Sequence, residues 1–139
     1  MEVEWLILAD SAQVVGNKLY LLGGGWDIIS PRKGFPFNQR CGIAVAINVA
    51  WNETNQKHNF EIEVISEDEN TEEPRSIAKM GGQFEVGRPP GIPSGQNQRI
   101  QLAIDMGLKV EKPGTKVVIA RLNGEESKRI SFTVLPTTK

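Results

Sequence analysis

Cys41-Gly42-Ile43-Ala44-Val45-Ala46-Ile47-Asn48-Val49-Ala50-Trp51 separates into two columns when every second residue is taken. Cys41, Ile43, Val45, Ile47, Val49 and Trp51 form one; Gly42, Ala44, Ala46, Asn48 and Ala50 form the other. Successive side chains of a strand point to opposite faces, so the first column is a broad apolar face and the second a face of small, uncharged residues. Such a strand is either central and covered on both sides or lends its small face to a contact between subunits. The covered position is the preferred reading.

Downstream the same period of two recurs, now with charge on one side. Phe60, Ile62 and Val64 alternate with Glu61 and Glu63, Phe84 and Val86 with Gln83 and Glu85, and Ile100, Leu102 and Ile104 with Gln101, Ala103 and Asp105. Ile130, Phe132 and Val134 alternate with Ser131 and Thr133, and Lys116 to Leu122 reaches them across Asn123-Gly124, a pair suited to the positive φ of a two-residue hairpin turn. Upstream, Gly16-Asn17 predicts a hairpin between Trp5 to Leu8 and Lys18 to Leu22. The run Gly23-Gly24-Gly25 lacks the Lys-Ser or Lys-Thr and the helix of a phosphate loop, so it reads as a bulge or corner where the chain changes sheet.

No window sustains helical spacing without a glycine, proline or β-branched break, so little helix is expected. Short strands at regular spacing predict an all-β chain: an antiparallel two-sheet sandwich, immunoglobulin-like or a similar Greek key, with a small barrel or jelly roll second. Ser30 to Asn38 and Gly87 to Asn97 are rich in proline and glycine and read as ordered crossovers. At 139 residues, the expectation is one domain over 1–139.

Composition narrows the function classes. Sixteen basic residues scattered among 17 acidic ones give a net charge of −1, which offers no basic stripe to a nucleic acid. Charge interrupts every apolar run, so no membrane contact is expected. Glu2 and Glu4 stand where an export signal needs basic residues, and Cys41 is the single cysteine. Together these predict a cytoplasmic protein.

Catalytic constellations are sparse. His58 is the one histidine, follows Asn55-Gln56-Lys57, and reads as solvent-exposed. Cys41 reads as a small buried hydrophobe rather than a reactive thiol. One cysteine and one histidine make no zinc site, and no cofactor is expected. The acidic run Glu67-Asp68-Glu69-Asn70 lacks the spacing of a calcium loop and reads, with Glu72 and Glu73, as a solvated turn. Trp5 reads as buried within its strand. Trp26 and Trp51 are placed near sheet ends, with Asp27, Asn52 and Arg88 as polar company, and these five form the candidate ligand or partner surface.

Leu8-Ala9-Asp10 through Lys18-Leu19-Tyr20-Leu21-Leu22-Gly23-Gly24-Gly25-Trp26-Asp27, then Trp51-Asn52-Glu53, Phe84-Glu85-Val86-Gly87-Arg88-Pro89-Pro90-Gly91 and Ser131-Phe132-Thr133-Val134 together resemble an uncharacterised family of small bacterial proteins, a domain of unknown function. The resemblance spans nearly the whole chain. It implies a free-standing bacterial β-domain and brings no catalytic or cofactor residue with it. Lys112 to Val117 departs from it, since such proteins place an aromatic after the Pro-Gly turn.

The expected function is a non-enzymatic binding or assembly module, acting on a protein partner or through self-association. The alternative is a small-ligand or carbohydrate binder using Trp26, Trp51 and the 87–98 loop. A third, an enzyme built on Asp10, Asp27 and Asp105, needs two of those carboxylates to face each other across a cleft.

Overall fold

The structure, a computed structural model, describes residues 1–67 and 74–137. The acidic run therefore lies outside the described residues, apart from Glu67. Among the described residues ten strands follow one another in chain order: β1 Glu2–Ala9, β2 Ser11–Val15, β3 Lys18–Leu22, β4 Ile28–Ile29, β5 Phe37–Val49, β6 Lys57–Glu67, β7 Arg75–Glu85, β8 Gln98–Val110, β9 Gly114–Leu122 and β10 Glu125–Val134. A 3₁₀ turn, Trp51–Glu53, joins β5 to β6. The all-β expectation holds.

Three strands make one sheet in the order β1-β5-β8, and five make the other in the order β4-β10-β9-β6-β7. The third sheet is the β2-β3 hairpin. The three-stranded and five-stranded sheets make a sandwich-like arrangement with the core cluster drawn from both. All pairings are antiparallel except β4 with β10.

The core follows from the alternation. Leu6 and Leu8 of β1 and Ile43, Val45, Ile47 and Val49 of β5 form a buried cluster with Phe60, Ile62 and Val64 of β6, Val118 and Ala120 of β9 and Phe132 of β10. Each fully buried side chain of this size contributes roughly 1.5–3 kcal/mol. Charged partners such as Glu61 and Glu63 take the opposite face of β6 and bind Arg121 at 2.9 Å.

The small face of β5 has a specific cover. Gly42 and Ala44 pair with Asp105 and Ala103 of β8, and the β2-β3 hairpin lies across them. A Cβ on Gly42 would stand 2.7 Å from the Ala12 nitrogen and 2.8 Å from the Ser11 carbonyl carbon. Backbone meets backbone there, which only glycine permits. Asp105 pins the hairpin, accepting from the Ala12 amide at 3.0 Å and the Ser11 hydroxyl at 3.3 Å. Ala44 and Ala46 are fully buried, so the covered-strand reading is right.

The N-terminal hairpin differs from the expected one. The turn is at Gly16-Asn17, both with positive φ, but it joins β3 to β2, with Val15 opposite Lys18, while β1 pairs with β5. A two-residue turn binds the residues flanking it, and the pattern of Trp5 to Leu8 lies too far upstream to be that flank. Trp5 is half-buried rather than buried: it pairs with Ala46 on the face away from the core. Gly23 to Gly25 do form a corner, carrying the chain from β3 to β4 in the other sheet, with φ of 59° and 87° at Gly23 and Gly25. The Asn123-Gly124 hairpin is as expected, with φ of 51° and 84°.

Candidate functional site

The five sequence-predicted residues fall into two groups. Trp51, Asn52 and Arg88 gather around the 3₁₀ turn, and Trp26 and Asp27 lie beside the C-terminal end of β10. Gly25, next to Trp26, donates to Leu8, whose partner is Ile43, whereas Trp51 follows Val49; along an extended strand that is roughly 20 Å.

At the first end Arg88 acts as a clamp. Its guanidinium carbon sits 3.9 Å over the Trp51 ring, Nε donates to the Thr54 hydroxyl at 2.7 Å, and an Nη donates to the Trp51 carbonyl at 2.8 Å. The Thr54 hydroxyl in turn donates to that same carbonyl at 2.7 Å. These bonds, with the Asn55 amide on the Val86 carbonyl and the Gln98 amide on the Gly87 carbonyl, hold the ends of the 87–98 loop. One face of the Trp51 ring is thus taken by Arg88. At the other end Trp26 meets Phe132 edge-on at 5.6 Å, packs against the core and leaves its indole N–H buried without a partner. Asp27 is exposed, and its carbonyl accepts from Thr133.

His58 is buried, at 6% exposure, contrary to the exposed reading. One ring nitrogen lies 2.8 Å from the Glu53 carbonyl and the other 3.2 Å from the Asn123 amide nitrogen. A neutral ring donating from Nε2 satisfies both. Asn123 also accepts from the Asn59 amide at 2.9 Å, so His58 braces the β9-β10 turn. The signal was in the alternation, since His58 shares its face of β6 with Phe60, Ile62 and Val64.

Cys41 is fully buried, and desolvation, then the charges of Asp105 and Asp10, push its thiol up to about 12. It is a core residue. Asp105 anchors the hairpin, and the Asp10 carboxylate lies against Gly23, where a Cβ would be 2.3 Å from it. Among the described residues no group of three or more His, Cys, Asp or Glu could hold a metal ion, and no helix is long and apolar enough to cross a membrane. A hollow of about 290 Å³ lies on the outer face of the five-stranded sheet, lined by Asn59, Glu61, Lys79, Gln83 and Arg121 around Gly81 and Gly82. Its charges neutralise one another: Glu61 binds Lys79 at 3.3 Å and Arg121 at 2.9 Å.

The two lateral sides of the sandwich are unlike. On one, β1 is tied to β10: the Ser127 hydroxyl accepts from the Val3 amide at 2.9 Å, and the Lys128 ammonium donates to the Glu4 carbonyl at 3.2 Å. On the other, β7 and β8 end their sheets, and among the described residues neither has a second strand partner. The ends of this side are bridged by Arg75 with Glu111 at 2.9 Å and by Gln98 with Gly87 at 2.7 Å. Between the bridges, Ile100, Leu102, Ile104 and Met106 of β8 and Ala78 of β7 are only half-buried, and Met80 is 40% exposed.

The two edges are built differently. β7 carries a register shift between Ile65 and Val64 of its partner strand, an irregularity that blunts an edge. β8 pairs with β5 residue by residue from Gln98 to Val110 with no shift and contains no proline. It is a long, regular edge with an apolar lip on its inner face, while Arg99, Asp105 and Lys109 and the hairpin bonded at Gln101 and Asp105 occupy the outer face. Sequence periodicity could not assign these features because it does not reveal strand order.

Residues 4–135 match the profile of a family of unknown function, DUF6941, and the chain belongs to that family. No curated protein matches it. Among solved structures it is similar to a β-glucosidase from Listeria innocua in complex with isofagomine, with a TM-score of 0.46 and 11% identity, over 99% of this chain and 17% of that one. It is also similar to the β-glucosidase EmGH1 from Erythrobacter marinus, with a TM-score of 0.35 and 14% identity, over 76% of this chain and 14% of that one. The chain thus spans less than a fifth of the length of those enzymes.

Proposed function

We propose that this chain is a non-enzymatic, cytoplasmic binding module that takes a polypeptide as an added strand along the free edge of β8. The observation that carries the reading is the stretch of β8 between the two bridges of its side: it pairs with β5 without a break, has no second strand partner among the described residues, and runs beside a half-buried apolar row. Strand addition suits such an edge, because main-chain bonds supply affinity and alternate side chains supply selectivity. A small-ligand site built on both Trp26 and Trp51 draws less support, since the two indoles sit at opposite ends.

The test is to pan a random-peptide phage library against the folded chain and to map a selected peptide by amide hydrogen exchange. Protection confined to alternate amides of β8 supports the reading. Protection at the 87–98 loop or the Trp26 corner, or no peptide selected, overturns it.

A further inference from the structure

We infer that the strand received by β8 is the β8 of a second copy of this chain, paired antiparallel about a two-fold axis through Leu102; this deepens the proposed function and rests on it. In an antiparallel pair, directly opposed residues share a face. A register that joins two copies of β8 is therefore favoured where it opposes apolar residues at the centre of the inner face and opposite charges on the outer one. With Leu102 on the axis, Ile100 faces Ile104 of the second copy on the apolar side, and Gln101 faces Ala103 on the other. Arg99 then faces Asp105, twice over by symmetry, and the paired span runs from Gln98 to Met106.

Charge selects this register. Sliding the copies by two residues toward a longer overlap sets Arg99 opposite Gly107 and Asp105 opposite Gln101, losing both ion pairs. Sliding by four sets Arg99 opposite Lys109, and by six Asp105 opposite Asp105. Like charges directly opposed on a sheet destabilise it, while opposite charges support it. Both groups can serve. The Asp105 carboxylate accepts two bonds from the hairpin and keeps lone pairs for an Arg fork. Arg99 is 56% exposed, although bound to Glu4 at 2.6 Å. Pairing would join two three-stranded sheets into one of six strands. It would also bring together the lips formed by Ile100, Leu102, Ile104 and Met80.

Sedimentation velocity from one to several hundred micromolar tests this on wild type, Arg99→Asp, Asp105→Arg and an equimolar mixture of the two variants. Each variant opposes like charges in its own dimer, but the mixed pair has opposite charges at both contacts. Wild type should sediment at twice the 15.4 kDa monomer mass, each variant as a folded monomer, and the mixture as a dimer again. As a second readout that tolerates a weakened fold, Leu102→Cys should form a disulfide-linked dimer on mild oxidation and Gly107→Cys should not. A monomeric wild type, a dimer insensitive to both charge reversals, or a mixture of folded variants that stays monomeric overturns the inference. A monomeric wild type in which a selected peptide still protects β8 overturns self-pairing alone and leaves the binding-module reading standing.

Discussion

Gly42→Ala should loosen the β2-β3 hairpin from the three-stranded sheet. The added methyl would stand 2.7 Å from the Ala12 nitrogen, 2.8 Å from the Ser11 carbonyl carbon and 3.0 Å from an Asp105 oxygen. Ordinary contacts to carbon begin near 3.5 Å, so the hairpin must lift by something under an ångström, and the two nearest atoms are backbone that cannot swing aside. Overpacking of this kind costs about 1–3 kcal/mol. If the lift also breaks the Asp105 bonds to Ala12 and Ser11, the loss grows by about 1 kcal/mol, the net worth of a typical hydrogen bond, since the carboxylate is exposed and water can replace its donors. A total of roughly 2–4 kcal/mol corresponds to a fall in Tm of about 6–16 °C for a chain of this size. Urea denaturation followed by circular dichroism measures it. Gly107→Ala is the control: nothing lies within 4 Å of its Cβ position, so it should be neutral or stabilising by up to about 1 kcal/mol. Since Gly42 and Asp105 act on the same hairpin, Asp105→Ala combined with Gly42→Ala should cost less than the sum of the two. A Gly42→Ala protein within about 0.5 kcal/mol of wild type, or full additivity with Asp105→Ala, would refute the docked hairpin.

Four further outcomes follow from the same structure. Asn123→Gly keeps the positive φ but removes the bonds to Asn59 and His58, and should cost about 1–2 kcal/mol by urea titration; no loss would mean that His58 does not brace this turn. Cys41, buried and with its thiol pushed up to about 12, should resist Ellman's reagent at pH 8 in the native protein and react fully once unfolded. Hydrogen bonds from Ser76 and Arg121, and the charge of Arg121, hold the Glu63 carboxyl below its usual value despite some desolvation. A depressed folded-state value means the unfolded chain binds the proton more tightly, so this contribution is complete above the ordinary glutamate range and disappears as pH falls through the folded value. Glu63→Gln should flatten that acid-side decline, and an unchanged slope in thermal scans would contradict it. Finally, Arg88→Ala should free the 87–98 loop and raise acrylamide quenching of Trp51, measured with Trp5 and Trp26 replaced by Phe.

Much of the fold was legible because its strands obey a period of two. The alternation in Phe60 to Val64 and Ile130 to Val134 marked inner and outer faces that burial reproduces, whereas Ile100 to Ile104 are half-buried on both faces because β8 is an edge strand with the hairpin over its outer side. The uncharged second face of β5 announced a close cover. What covers it was not legible, since the cover depends on which strand Gly16-Asn17 joins, and a turn specifies only its immediate flanks. His58 was misjudged from its polar neighbours, although the face it shares with Phe60 was the stronger signal. The candidate surface was legible in part: Trp51, Asn52 and Arg88 do come together, but Trp26 and Asp27 end at the far side because sheet order separates them. The open edge of β8 depends entirely on that order. No local pattern distinguishes an edge strand from a central one when both have a half-wet face.

The most direct measurement of the binding edge is amide hydrogen exchange along β8 as a function of protein concentration. Alternate amides of Gln98 to Met106, those pointing away from β5, should be protected at several hundred micromolar and lose that protection on dilution, while amides bonded to β5 stay slow at both. Outward amides of β8 that exchange fast at every concentration, with and without a selected peptide, would contradict the account.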